Sequence, residues 1–263
     1  MTTPVMRMAV AVLALGAANC IGIANADDQQ AGWACQNLPS HAELHAALAA
    51  ARAQPNGGFN LDMWGTIVSR DGIVCAVAFT GANRGSQWPG SRAIAAQKAN
   101  TANAFSLPQL SLSTANLFSA VQPGGSLYGL QASNPVSTRV AYRGDSRDYG
   151  TPDDPMVGGK IGGVNVFGGG LALYNAKHEL IGAVGVSGDS SCADHNIAWR
   201  TRHNLSLDFV PAGVSGDPSR PDNIVYDITP ASGLELGVSA SGWGHAFCSA
   251  AAKSIASTLP AVQ

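Results

Sequence analysis

His195 stands directly after Asp194 and three residues beyond Cys192, at the start of the helix-like run ADHNIAWRTRH (193–203). An imidazole there is a candidate to ligate iron or to change charge near neutral pH. Lys98 lies within SRAIAAQKANTANAF (91–105), whose other residues are mostly small or polar. Its ammonium either meets a carboxylate in a pocket or reaches to solvent along its own stem. His245 sits in SGWGHAFC, beside Cys248. His41 and His45 share one face of a helix at i, i+4, a spacing that can hold a metal. No Glu follows His41 directly as it does in a metalloprotease helix, which leaves an exposed pair as the plainer reading. His178 falls in a polar turn, and Asp145, Asp148, Asp153 and Asp154 form an acidic loop whose oxygens suit calcium without EF-hand spacing. Ser187 has no strand-to-helix setting for a nucleophile elbow, and no G-x-G-x-x-G opens a helix.

These residues need elements to position them. Gly168-Gly169-Gly170 leads into LALY (171–174), a five-residue polar turn and LIGAVGVSG (180–188), which reads as a β-hairpin with a buried face. Gly185 and Gly188 lack a Cβ, so another backbone or a flat ligand can come close. MWGTIVSRDGIVCAVAF (63–79) is a second hairpin about Arg70-Asp71-Gly72. HAELHAALAAARA (41–53) is a helix with Ser40 and Glu43 in capping-box positions. Ser91 is expected to cap the Lys98 helix, and LSTANLFSAV to form a second short one. Residues 124–163 are rich in turn signals, and the segment from Leu205, with Pro211, Pro218 and Pro221, is expected to be extended or irregular and to wrap the domain. The order α-β-β-α-α-β-β-α argues α+β with an antiparallel sheet.

Two separated blocks resemble the GlcG/HbpS-like heme-binding family. They are Gly169-Gly170 with IGAVGVSG (181–188) and Asp194, and Ser69–Val74 with the 91–105 helix, where Lys98-Ala99 and Thr101-Ala102 stand in the expected places. The resemblance spans roughly residues 40–120 and 160–203. Ala172 replaces the family's usual Pro, the turn before IGAVGVSG is a residue longer, and about fifty residues from Phe118 to Gly168 replace a shorter connection. The resemblance implies a central sheet of about five strands with flanking helices, and heme as cofactor. It implies a pocket bounded by Lys98, Gly168, Gly169, Gly170, Ser187 and Asp194, with Lys98 toward a heme carboxylate. His195, then His245, are the iron-ligand candidates.

The first 26 residues carry one Arg, an apolar run and a small-residue ending, Ala24-Asn25-Ala26, the pattern of a cleaved secretory signal. Residues 27–263 then read as a single domain with an insertion near 119–167 and a C-terminal extension over 204–263. Four cysteines remain after cleavage, and an even number in an exported chain reads as two disulfides. Sequence alone leaves three pairings; Cys35–Cys75 with Cys192–Cys248 is favoured, and the second would bring His245 to Asp194 and His195, a 2-His-1-carboxylate set. Removing Arg7 with the signal leaves 14 basic residues against 17 acidic, a net charge of −3, which excludes a basic nucleic-acid footprint. No second apolar span follows, so the expectation is a periplasmic or secreted protein. With only 12% charged residues, self-association into a homo-oligomer is expected. The leading functional reading is an exported protein that sequesters or senses heme or another small planar anion. The alternatives are an enzyme on a small carbonyl or hydroxy acid, and a structural oligomer with a vestigial pocket.

Overall fold

The computed structural model describes Met1 and residues 32–263; the expected signal segment lies outside the described residues. The main elements are α1 (His41–Arg52), β1 (Trp64–Ser69), β2 (Val74–Phe79), α2 (Ser91–Phe105), β3 (Gly170–Tyr174), β4 (Leu180–Ser187), α3 (Ser191–Asn204), β5 (Ile228–Ala231), β6 (Leu234–Ser239) and α4 (Ala250–Ala256), with two single-turn helices, Leu130–Ser133 and Thr138–Ala141, between α2 and β3. The main sheet is antiparallel throughout, in the order β2-β1-β4-β3. Four strands therefore stand where about five were expected. The two hairpins join along β1 and β4, with Trp64 opposite Ser187 and Ser69 opposite Gly182.

Both faces of the sheet are covered, which is why its strands are apolar without alternation. Ile67 and Val184 point to one side, where Leu44 and Leu48 of α1 and Ile197 and Trp199 of α3 pack. Val68 and Ala183, their chain neighbours, point to the other, against Ala95, Ala96 and Ala99 of α2. The alanines of α2 let the helix lie close on the sheet. A methyl group added at Gly185 would overlap the Ala95 carbonyl, so that glycine admits the α2 backbone rather than a flat ligand.

Local chemistry sets the element ends. The Glu43 N–H donates to Ser40 Oγ at 3.3 Å and the Ser40 N–H to Glu43 Oε2 at 2.8 Å, the expected reciprocal cap of α1. Gly72 turns the first hairpin at φ 73°. Ser91 is instead the first helical residue of α2; Gly90 holds the cap position with no side-chain bond. LSTANLFSAV forms two 3-10 turns, Thr114–Leu117 and Ser119–Val121. The C-terminal extension carries more regular structure than its prolines suggest. It adds a small β5–β6 sheet and α4, whose Ala252 and Ala256 join the core beside Trp199.

Among the described residues there are two disulfides, Cys35–Cys75 and Cys192–Cys248, with Cα separations of 5.5 and 6.1 Å. The first ties the segment before α1 to β2, and the second ties α3 to the C-terminal extension. Thiol titration of denatured, unreduced protein is expected to find none of these four cysteines reactive; two or more reactive thiols among them would contradict the pairing. Among the described residues, no helix is long and apolar enough to cross a membrane.

Candidate functional site

Lys98, Gly168, Gly169, Gly170, Asp194, His195 and His245, drawn from four separate stretches of sequence, meet beside β3 and β4, while Ser187 is the buried last residue of β4. The register makes this possible. Gly170 pairs with Gly185, and the Val186 N–H donates to the Gly169 carbonyl at 2.8 Å, so the glycine turn runs beside the end of β4. Gly169, at φ 121°, has no room for a side chain: a Cβ there would press on the Val186 carbonyl and lie 3.1 Å from both Lys98 Nζ and Asp194 Cβ. At Gly168 it would lie 3.0 Å from His195 Cβ. These glycines let α2, α3 and β4 converge.

The Lys98 ammonium donates to Asp194 Oδ2 at 2.7 Å and to the Val186 carbonyl at 3.2 Å. Both side chains are only 2–3% exposed. The carboxylate that Lys98 meets is therefore the chain's own. The other oxygen of Asp194 accepts the Asp189 N–H at 2.8 Å, fixing the approach to α3. Burial raises the Asp194 carboxyl to about 6, and the Lys98 charge beside it only partly opposes that rise. Ser190 caps α3 through the Ala193 N–H at 3.4 Å.

His195 is fully buried. Its Nε2 lies 3.1 Å from Asn223 Oδ1 and 3.1 Å from the Ile224 nitrogen, both on the C-terminal extension. The Ile224 N–H also reaches Asn223 Oδ1 at 2.9 Å, so one consistent arrangement has Nε2–H and Ile224 N–H both donating to that oxygen. In that tautomer Nδ1 is left with a lone pair, and it has no hydrogen-bond partner in the structure. Burial lowers the pKa to about 3, so His195 stays neutral at physiological pH. Of the two roles the sequence offered, burial disfavours the charge switch and favours the neutral imidazole, the form that ligates metals.

His245 is buried on the other side of the glycine turn. Its Nε2 accepts the Gly168 N–H at 3.3 Å, its Nδ1 lies 2.8 Å from the Ala246 carbonyl, and its ring is 4.9 Å from that of Phe118. Burial lowers its pKa to about 4. The Cys192–Cys248 bridge ties its segment to the start of α3, but among the described residues His245, Asp194 and His195 do not form the three-ligand group that the sequence suggested.

The remaining candidates go elsewhere. His41 and His45 stack at 6.3 Å, and His41 Nε2 contacts the Gly150 carbonyl at 2.9 Å. His178 is exposed in its turn at φ 59°. The acidic loop is divided between arginines: Asp154 pairs with the buried Arg92, and Asp145 with the exposed Arg147. Sequence reading missed the groups that close the site. The Gly170 N–H donates to Thr114 Oγ1 at 2.9 Å. The extension's Asp222 takes two bonds from Arg202 of α3, at 2.7 and 2.8 Å, with both side chains fully buried. The sequence held no signal for this pair: Arg202 stands in a polar stretch with Arg200 and His203, and Asp222 lies twenty residues on in the extension.

Residues 40–202 match the family model described as "Haem degrading protein HbpS-like". The chain belongs to this family. Among solved structures, it is similar to Klebsiella pneumoniae protein ORFY, with 26% identity over 63% of this chain and 88% of that one and a TM-score of 0.42. The PduOC:heme complex is similar at 25% identity, covering 62% and 91% with a TM-score of 0.42, and HbpS at 15%, covering 62% and 84% with a TM-score of 0.38. No curated protein matches the chain. All the candidate residues except His245 lie inside the family match; Asn223, Ile224 and His245, which cover the site, lie beyond it.

The donor set fits heme iron in one respect: His195 offers a neutral, buried nitrogen without a partner. Lys98 is spent on Asp194 in this closed arrangement. A cleft of about 550 Å³ between α1 and Leu205–Leu207 and one of about 450 Å³ beside Arg84 and Tyr142 are lined by neither residue.

Proposed function

We propose that the protein is an exported heme-binding protein that sequesters or senses the tetrapyrrole, and that it binds heme at the Lys98, Gly168–Gly170, Ser187 and Asp194 cluster with His195 as iron ligand. The observation that carries this reading is the convergence of both family-matched blocks on one buried cluster that contains an imidazole nitrogen without a partner. Heme would supply the iron; the chain's residues hold and orient it. Nδ1 of His195 is available without exchange, whereas Nε2 must first give up Asn223 and Ile224. Asp194 fixes the start of α3 through the Asp189 N–H and so positions His195. Entry of a flat ligand requires the extension's cover, Asn223 to His245, to shift. His245 is the second ligand candidate, on the opposite side of the glycine turn. The two disulfides and the signal-like first 26 residues support export, and the low charge density supports self-association.

Hemin titration followed by absorption tests the assignment. Wild-type protein is expected to give a saturable Soret band, and His195→Ala an altered band with affinity lowered at least tenfold. Unchanged spectrum and affinity in His195→Ala would remove His195 from the site. A second reading, degradation of the bound heme, is favoured by the family's description. Loss of the Soret band in air with a reductant such as ascorbate, with release of iron to a chelator, separates degradation from storage.

A further inference from the structure

The cleft of about 450 Å³ beside Arg84 lies between the loop that leads into α2 and the insertion. Arg84, Pro89 and Gly90 line it from the loop, and Tyr142, Ser146 and Tyr149 from the insertion near 119–167. Its volume is that of a small-molecule pocket, and its surface is mostly apolar with a few polar groups. It shares no lining residue with the proposed heme site.

One tyrosine of the cleft is held in place. Arg92 is only 3% exposed; its Nε donates to Asp154 Oδ2 at 2.8 Å and its Nη1 to the Ala141 carbonyl at 2.6 Å. The Tyr149 ring lies over this guanidinium, with its centroid 3.6 Å from Arg92 Cζ, and its hydroxyl donates to the Arg143 carbonyl at 3.3 Å. Since Asp154 already meets the Arg92 charge, the part of Arg92 is to fix that ring. The free charge is Arg84, which is exposed and, among the described residues, forms no ion pair. No carboxylate lines the cleft. Asp145, the neighbour of Ser146, is turned to Arg147: its Oδ1 accepts the Arg147 N–H and its Oδ2 the Arg147 Nε–H, both at 2.9 Å. The Tyr142 side of the cleft is open, since that residue is 60% exposed, and a Cβ added at Gly90 would meet no atom within 4 Å. We propose that this cleft binds a small aromatic carboxylate, with its ring among Tyr142, Tyr149 and Pro89 and its carboxylate on Arg84. An apolar cleft with one free guanidinium matches one flat ring carrying one negative charge. A phosphate would lack a second free cation, and a sugar would lack polar partners for its hydroxyls.

The test titrates the full chain with β-naphthoate, a fused-ring aromatic carboxylate, followed by calorimetry. One equivalent is expected to bind with a Kd of about 1 mM or tighter. Naphthalenemethanol, which keeps the rings without the charge, should bind about tenfold more weakly, and so should cyclohexane carboxylate, which keeps the charge without the aromatic ring. Arg84→Gln should weaken β-naphthoate about tenfold and Tyr142→Ala about fivefold, while Arg84→Gln leaves hemin binding unchanged. Amide resonances of Gly85, Gly90 and Ser146 should shift on titration, and those of Gly168–Gly170 should not. The proposal is overturned by absence of saturable binding, by equal affinity for the uncharged analogue, or by wild-type affinity in Arg84→Gln and Tyr142→Ala. Displacement of the probe by one equivalent of hemin, or shifts confined to Gly168–Gly170, would overturn a separate site. Both substituted side chains are exposed, and near-ultraviolet circular dichroism checks that the variants are folded; if either is not, the resonance shifts of the wild-type chain decide.

Discussion

Lys98→Ala is expected to cost about 3–5 kcal/mol of folding stability at pH 8, because it leaves the Asp194 carboxylate buried without its cation. Packing loss alone would be independent of pH; the charge effect is not. The folded Asp194 pKa, about 6, lies above the unfolded value of 3.8, so the folded state holds this proton longer. Stability from this group therefore rises as pH falls through 6 toward 4, and the penalty of the ionised form is complete above 6. Without Lys98 the raised pKa climbs further, since the one nearby charge that lowers it is gone. The deficit of Lys98→Ala should consequently shrink as pH falls from 8 to 5. Urea unfolding at pH 8, 6.5 and 5 checks this. A deficit constant across that range would assign the loss to packing. The double variant Lys98→Met/Asp194→Asn should recover most of the stability, because it carries no buried charge while the amide oxygen at position 194 still accepts the Asp189 N–H. The same experiment bears on the heme reading: if Lys98 served only a ligand's carboxylate, its removal would leave the free protein's stability unchanged.

Arg202→Ala should be at least as damaging, again about 3–5 kcal/mol, and its consequences should concentrate in the C-terminal extension. The guanidinium lies on α3, the Asp222 carboxylate on the extension, and both are fully buried. Ser111 donates to the same carboxylate at 2.6 Å. Burial would raise the Asp222 pKa, but the Arg202 charge, its two hydrogen bonds and that of Ser111 outweigh it and hold the carboxyl below its usual value. The sign is opposite to that of Asp194: this contribution is present above the unfolded pKa of 3.8 and is lost as pH falls through the lower folded value. The wild-type fold should thus tolerate pH 5 well and fail steeply below about 4. In Arg202→Ala the amides of Asn223 and Ile224, which close over His195, should exchange hydrogen faster than those of β1. Arg202→Lys should rescue only in part, since one ammonium cannot make both parallel bonds. Retained protection at residues 222–226 in Arg202→Ala would show that other contacts carry the cover.

The local elements were legible in sequence because each is set by neighbours. The Ser40–Glu43 cap, the Arg70-Asp71-Gly72 turn, the two hairpins and the helices holding Lys98 and His195 follow from short-range periodicity and turn chemistry. The resemblance of two blocks to the family also implied that Lys98, the glycine turn and Asp194 share one region. Cap positions slipped by a residue where Gly90 rather than Ser91 precedes α2, because the backbone there does not use the serine side chain.

What the tertiary structure decided is the state of those residues. A Lys reads the same in sequence whether its ammonium faces solvent, a ligand or Asp194; only the approach of Lys98 on α2 to the first turn of α3 beside Gly168 and Gly169 selects the last. Nothing local marks Asp222 and Asn223 as partners of Arg202 and His195, since those contacts join segments more than nineteen residues apart across the core. The regular structure of the C-terminal extension was hidden for the same reason: α4 is seven residues long and is stabilised by Ala252 and Ala256 packing near Trp199 rather than by its own propensity. The sequence by itself determined which residue types could do chemistry. Burial and partners, set by the fold, determined that His195 is neutral, that Lys98 is paired, and that the site is closed by a segment outside the family's matched region.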